Sequence, residues 1–458
     1  MTEVAVKRTS AHRLLLLWGL ALLVAVAGCG RSNDDKPPVY LIMIDTLRTD
    51  ALSCYGGARP TPALDRFASQ AVLFENCFAP CSWTLPSVAS VWTGLYPFHH
   101  GTTEGAVAER KVVRQQELSP RLITLGEVFK NAGYSTFGIS ANGHIAEEFG
   151  FAQGFDKFFG FSFIPKDLPA ARWKGLSARV ALAQRRHPTF TMLFFFDPHL
   201  PYDPREPYIT KYSPNWREQS ADFIDHMTEL AKKGYIQEHP EKIPVARALY
   251  DSEVAWLDEY LATALPALPG YDDAWVIITA DHGESFGEEG RMLHGNNLRQ
   301  PEVHVPLLIK MPNGERGGTR VAQAVSLVDI LPTLAAICGM RSPPPMDGVS
   351  LLPALHGQKL APRPLFMHLK LGPTYSRGMV RWPFKVILRE KLPATVFDLA
   401  DDAAEANDLR EILGPEGARL VREADNGTQP VIRFLPRSVA NKKSDAEQKR
   451  LRELGYLQ

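Results

Sequence analysis

Apolar and polar positions along this chain switch repeatedly between two periods, and the switches lay out a β/α succession. Apolar runs at Val39–Ile44, Val72–Phe78, 135–139, 189–196, 274–279 and 305–310 read as strands, the most continuous of them as strands buried on both faces. Residues 122–132, 243–265 and 325–338 carry apolar positions at helical spacing; in the second of these they are Val245, Ala248, Leu249, Val254, Leu257 and Leu261. Thr61-Pro62 supplies a cap and a first-turn proline, and Pro86 is expected to open a helix that closes at Gly94. Between 203 and 241 the periodicity weakens amid Pro, Tyr, Trp and charge, which predicts a long, partly helical excursion over a site. Pro343-Pro344-Pro345 marks a break, after which 363–390 and 396–399 alternate as short β runs of a small antiparallel subdomain. Residues 444–454 are charged and predict a surface helix or frayed tail.

The N-terminus departs from this pattern. Lys7, Arg8 and Arg13 precede an apolar run from Leu14 to Ala27, which ends Val26-Ala27-Gly28-Cys29. The run is short for a membrane span, and small residues stand directly before a cysteine, as in a bacterial lipobox. The expected layout is a lipoprotein signal peptide at 1–28 and a lipidated tether at 29–37 beginning at Cys29. A catalytic domain at 38–342, the small subdomain at 343–412 and a partly helical tail at 413–458 follow. This places the protein in the bacterial cell envelope, lipid-anchored and facing the periplasm or the exterior.

Composition narrows the partners. Among 458 residues Lys+Arg and Asp+Glu both number 51, so no net field recruits nucleic acid, and 45% hydrophobic residues suit a large core. Beyond Cys29 the cysteines are Cys54, Cys77, Cys81 and Cys338, without C-x-x-C spacing; their pairing stays open between bridges and isolated thiols.

The residues that follow the strands are of catalytic types. Asp45 ends the first strand, where open α/β sheets gather ligands; it is a metal-ligand candidate, with an Asx turn as the alternative. Thr84 and Ser87 stand at the start of the Pro86 helix, where free N–H groups favour an anion, so Thr84 is a candidate nucleophile with an ordinary N-cap as the alternative. Asp197-Pro198-His199 follows the central strand, and Asp281-His282-Gly283-Glu284 follows the next, with His294-Gly295 a short loop later. Asp beside His makes a hard-cation or zinc pair when other carboxylates converge.

Together these blocks resemble the sulfatase branch of the alkaline phosphatase superfamily over residues 38 to about 412. The resemblance is carried by Asp45-Thr46-Leu47-Arg48 with Cys54-Tyr55-Gly56, Thr61-Pro62-Ala63-Leu64-Asp65, Trp83-Thr84-Leu85-Pro86-Ser87, and Thr93-Gly94-Leu95-Tyr96-Pro97. Gly154-Phe155-Asp156, Asp197-Pro198-His199, Asp281-His282-Gly283-Glu284, Val305-Pro306-Leu307 and Phe397-Asp398-Leu399 continue it in order. It implies an α/β fold, alkaline-phosphatase-like, with a large mixed β-sheet flanked by helices on both faces and the small C-terminal antiparallel subdomain. It also implies one divalent metal ion (Ca, Mn, Mg or Zn) held by Asp45, Asp281 and His282 with Thr84 as a further ligand. His199 and His294 would contact the transferred anion or protonate the leaving oxygen.

The chain also departs from that family. Sulfatases carry Cys-x-Pro-x-Arg, or Ser first, and oxidise the first residue to formylglycine; here Thr84 and Val88 stand in those places, and threonine cannot become that aldehyde. Cys81 lies three positions too early. Thr46 replaces the second Asp of the sulfatase pair, and the Lys-x-His block has no clean counterpart, with Asn142 or His144 in its space. A threonine nucleophile resembles the phosphodiesterases, lipoteichoic acid synthases and phosphoethanolamine transferases of the same superfamily. The implied function is a metal-dependent hydrolase of sulfate or phosphate esters acting on a small-molecule, glycan or lipid ester. A phosphoethanolamine or phosphoglycerol transferase on envelope glycan or lipid, or a non-catalytic envelope binding protein, are the alternatives.

Overall fold

The first apolar run, Val39–Ile44, forms β1; strands pair with it on both edges, and all six of its residues are buried. The computed structural model describes residues 36–105, 107–109, 112–160, 177, 179–221, 235–340 and 343–442. The signal peptide, Cys29, most of the tether and the 444–454 segment lie outside the described residues. Among the described residues no helix is long and apolar enough to cross a membrane.

A nine-stranded sheet organises the body. Besides β1 it contains β2 (Val72–Phe78), β3 (Ser135–Ser140), β4 (Lys157–Gly160), β5 (Thr189–Phe195), β6 (Trp275–Ala280), β7 (His304–Lys310), β8 (Arg320–Val321) and β9 (Val325–Ser326). Their spatial order is β8-β2-β7-β6-β1-β5-β3-β4, with β9 beside β2. β7 pairs antiparallel with both β2 and β6, while all the other pairs are parallel. The sheet is therefore mixed through one reversed strand, and the C-terminal ends of β1, β2, β3, β5 and β6 share one edge. The helices α1 (Pro62–Ser69), α2 (Thr84–Thr93), α3 (Leu125–Asn131), α4 (Ile243–Ala264) and α5 (Ile330–Ile337) gather in two groups: α1 packs on α4, and α2, α3 and α5 pack together.

Some elements differ from the periodicity. The helix expected over 325–338 is interrupted at its start: Val325–Ser326 pairs with Cys77 and Phe78, and a Ser326–Asp329 capping box restarts the chain before α5 begins at Ile330. Periodicity cannot see a cap inside an apolar run. α3 likewise begins only at Leu125, because Thr124 and Glu127 form a capping box. Within 203–241 the described parts include the short helices Tyr208–Tyr212, Trp216–Ser220 and Tyr235–Glu238, the first two of which pack on α4.

Four antiparallel strands, Leu365–Leu371, Thr374–Arg381, Phe384–Arg389 and Thr395–Asp398, form the second sheet. Leu365, Met367 and Leu369 join the main core, while Met379, Val386 and Val396 pack against Leu420 and Ala424 of helix Pro415–Gly427. Helix Pro415–Gly427, at the start of the stretch expected to be a partly helical tail, thus covers this sheet. His368 N–H donates to Pro80 O at 2.9 Å, tying the subdomain to the turn before Thr84. Cys54, Cys77, Cys81 and Cys338 are free thiols, and all but Cys54 are buried.

Candidate active site

Register alone brings the first two carboxylates together. Ile44 pairs with Ala280 across β1 and β6, so the next residues, Asp45 and Asp281, emerge side by side at the sheet edge. Both are fully buried. The Asp45 N–H continues the ladder to Phe195 O at 3.0 Å, which leaves its carboxylate facing the edge rather than closing an Asx turn. Thr46 then turns the chain at φ 55, a left-handed conformation unusual for a β-branched residue. That turn aims the Thr46 N–H at Asp281 Oδ1 (3.3 Å), and Tyr250 braces it by donating to Thr46 O (2.9 Å).

The nucleophile candidate arrives from β2. α2 begins at Thr84, two residues earlier than Pro86 suggests, with extended Trp83 as its N-cap; Pro86 still falls in the first turn, where its missing N–H is not needed. Thr84 is the first helical residue, and no side chain caps this helix. Its hydroxyl instead meets His282 Nε2 at 3.2 Å. Ser87 Oγ donates to Asp281 O at 2.6 Å, locking the first turn of α2 to the end of β6. Val88, where sulfatases place arginine, is a buried core residue of a helix buried along its whole length.

The donor set fits a divalent cation. Asp45, Asp281 and His282 offer ligand atoms that all lie within 4.8 Å of one another. Asp45 Oδ1 and Asp281 Oδ2 are buried and have no hydrogen-bond partner, whereas Asn142 Nδ2 donates to Asp45 Oδ2 at 2.7 Å and the His282 N–H to Asp281 Oδ1 at 2.9 Å. Each carboxylate thus has one oxygen engaged and one free, an arrangement costly to bury without a cation. Burial, then the charge of Asp281, raises the Asp45 carboxyl well above the usual carboxylate range, and burial pushes Asp281 up to about 7. His282 Nδ1 donates to Gly283 O at 2.8 Å, which leaves Nε2 as the lone-pair nitrogen, and burial followed by His294 keeps the ring neutral, as a ligand must be.

A second group of histidines faces this centre. His294 lies tilted against His282 and His199, with ring centroids 4.5 and 4.9 Å away. His294 Nδ1 donates to Glu284 Oε1 at 2.8 Å, and His199 Nδ1 to Leu200 O at 2.6 Å. Burial pulls the His294 pKa down, but the charge and hydrogen bond of Glu284 outweigh it and leave the pKa raised. Tyr202 OH donates to the other Glu284 oxygen at 3.0 Å.

The structure therefore brings Asp45, Thr84, Asp281, His282, His199 and His294 to one edge. Of the two candidates for the Lys-x-His space, Asn142 bonds a metal-candidate carboxylate. His144 lies edge-on to Trp83 (6.0 Å) with Nδ1 on Gln115 Oε1 (2.8 Å); its pKa is pulled down to about 3, by burial and then by His294. Sequence reasoning left two participants without roles, Glu284 and Glu302. Glu284 was visible only as the neighbour of His282, and Glu302 carries no motif signal. Gly283, between His282 and Glu284, is required: a Cβ there would sit 2.1 Å from Pro301 O.

Comparison with known proteins follows this geometry. The Sulfatase family model matches residues 37–340. The chain is 24% identical over 365 residues to an uncharacterized sulfatase, YidJ, of Escherichia coli, covering 69% of this chain and 71% of that one. It is 26% identical over 377 residues to human N-acetylgalactosamine-6-sulfatase, covering 74% and 70%. The phosphonate monoester hydrolase of Agrobacterium radiobacter superposes with a TM-score of 0.67 at 22% identity, over 85% of this chain and 94% of that one. With its large mixed sheet, its second antiparallel sheet and a family match across the whole site, the chain belongs to the sulfatase family of the alkaline phosphatase superfamily, a family of ester hydrolases.

Proposed function

We propose that this protein is a metal-dependent hydrolase of sulfate, phosphate or phosphonate esters in which Thr84 is the nucleophile. One observation carries the reading: Thr84 Oγ1 lies 3.2 Å from His282 Nε2, beside the unpartnered oxygens of Asp45 and Asp281. A divalent cation held by Asp45, Asp281, His282 and the Thr84 hydroxyl would lower the pKa of that hydroxyl and offset charge on the sulfuryl or phosphoryl oxygens. The Thr84 hydroxyl gives up its proton to solvent as its Oγ attacks the sulfur or phosphorus in line, and that proton restores the histidine that protonates the leaving oxygen. The new Thr84 ester bond forms as the bond to the leaving oxygen breaks, and that oxygen takes its proton from His294 or His199. Water then cleaves the Thr84 ester and restores the hydroxyl. Glu284 holds His294 by Nδ1, so Nε2 is the nitrogen that moves the proton.

The names of the relatives support a sulfated glycan or a phosphonate ester as substrate. The test is a panel of 4-nitrophenyl sulfate, phosphate, phosphodiester and phenylphosphonate with added Mn, Ca, Zn or Mg, alongside metal analysis of the purified protein. Hydrolysis that survives Thr84→Ala sinks the mechanism. Product formed only when an acceptor alcohol is supplied would select the transferase instead, and neither metal nor turnover would select a binding role. A covalent sulfuryl or phosphoryl group trapped on Thr84 and found by mass spectrometry decides between the two ester classes.

We also propose attachment to the bacterial envelope through lipid on Cys29, a reading supported by the basic start, the short apolar run Leu14 to Ala27 and the closing Val26-Ala27-Gly28-Cys29. Fractionation of Cys29→Ser cells should move the protein from membrane to soluble fractions; unchanged membrane association would refute the lipid anchor.

A further inference from the structure

The proposed mechanism leaves unused a carboxylate, Glu302, that is fully buried a few residues beyond His294. It accepts from Ser285 Oγ (2.7 Å), Asn296 N–H (3.1 Å), Asn297 N–H (3.3 Å) and Asn297 Nδ2 (2.9 Å). Ser285 follows Glu284, the residue that holds His294, and Asn296 and Asn297 follow His294 itself. One side chain therefore binds both loops that meet at the histidine. The backbone at Pro301 and Glu302 strengthens the Glu284 side: Gly283 N–H donates to Glu302 O (2.8 Å) and Glu284 N–H to Pro301 O (2.9 Å). The next residue after His294 closes the circuit to the nucleophile, since Gly295 N–H donates to Ser82 O at 2.9 Å, two residues before Thr84.

A surface carboxylate could make such turns at little cost. A fully buried one needs its hydrogen bonds to offset desolvation, and burial pushes its pKa up to about 7 against the pull of Ser285. Four donors converging on one buried side chain, all on segments flanking His294, are the pattern of a support that fixes another residue's orientation.

We propose that Glu302 is a positioning residue for His294, a buried clamp that ties the histidine's loop to the Glu284 loop and so sets the ring against the leaving oxygen. The inference rests on the reading of Thr84 as nucleophile and His294 as proton donor. It makes a claim a purely structural role does not: loss of the clamp should matter in proportion to how much the leaving oxygen needs a proton. A 4-nitrophenolate leaves without help, whereas an unactivated phenolate needs the acid.

The experiment compares Glu302→Gln with the unmodified protein on the 4-nitrophenyl and the phenyl ester of whichever acid the protein turns over. We expect kcat on the phenyl ester to fall about a hundredfold, with the 4-nitrophenyl ester changed only a few-fold and KM unaltered on both. Equal losses on the two esters, or no loss on the phenyl ester, overturn the proposal. Ser285→Ala and Asn297→Ala each remove one of the four bonds and provide the same comparison if Glu302→Gln does not fold; they should show the same leaving-group bias at smaller size, and its absence overturns the proposal. Activity remaining in Thr84→Ala would instead refute the reading beneath it, so the two failures are distinguishable.

Discussion

The two halves of the site are built differently. Asp45, Asp281, His282 and Thr84 lie just beyond the ends of β1, β6 and β2, and strands of one sheet hold them in place: the Ile44–Ala280 pairing alone sets the carboxylates side by side. His199 and His294 sit on loops, and what places them is a set of hydrogen bonds from particular side chains and carbonyls, among them Leu200 O, Glu284, Tyr202 and, at one remove, Glu302. A sheet specifies geometry through backbone pairing, which any apolar sequence of the right period sustains. A loop specifies geometry only through particular side chains, so the histidine half should be the more easily detuned and the metal half the more absolute.

Deleting the nucleophile gives the largest expected effect. Thr84→Ala should reduce kcat on the order of 10⁴-fold or more, as removal of a covalent nucleophile does elsewhere. Residual turnover within tenfold of the unmodified rate would mean that the sheet-edge half does not house the attacking atom.

Next in size is removal of one carboxylate. Asp281→Asn leaves the fold's hydrogen bonds to His282 N–H and Thr46 N–H in place but withdraws a charge from the cation site. Bound metal by elemental analysis should drop below stoichiometric and activity should require added divalent salt; full metal content in the variant would separate activity from this triad.

Histidine substitutions should be milder and graded by leaving group. His294→Gln is expected to cost about a hundredfold on unactivated esters. If His199→Gln costs more than His294→Gln on the same ester, the proton donor is His199 and Glu284 supports a residue that only contacts the anion.

The smallest effect concerns stability behind the nucleophile helix. His100 accepts the Thr102 N–H at Nδ1 (3.0 Å), so its Nε2–H donates to Ser90 Oγ of α2 (3.1 Å), and the ring is neutral; burial chiefly holds its pKa down to about 3. A histidine whose folded pKa lies below its unfolded value contributes stability that is present above about pH 6.5 and is lost as pH falls toward 3, at about 1.4 kcal/mol per pH unit. Urea unfolding at pH 7 and pH 5 should show a smaller drop for His100→Asn than for the unmodified protein. Parallel drops would show that the proton enters elsewhere.

Much of this was legible in the chain itself. Strand periods, the carboxylates and histidines that follow them, and Thr84 at the start of a helix are local facts, because side-chain period and first-turn chemistry are properties of a few consecutive residues. The restart of α5 behind Ser326–Asp329 was hidden because a capping box inside an apolar run leaves the hydrophobic pattern intact.

What the chain determined alone is the class of fold, the sheet edge where the chemistry gathers, and the identity of the residue types placed there. Tertiary structure alone decided which of Asn142 and His144 touches Asp45, that the hydroxyl of Thr84 turns to His282 rather than capping its helix, and that Glu284 holds His294 while Glu302 bonds residues on either side of it. Those outcomes depend on distances between residues 10 to nearly 200 positions apart in the chain, set by strand register and loop packing, for which no local pattern carries the information.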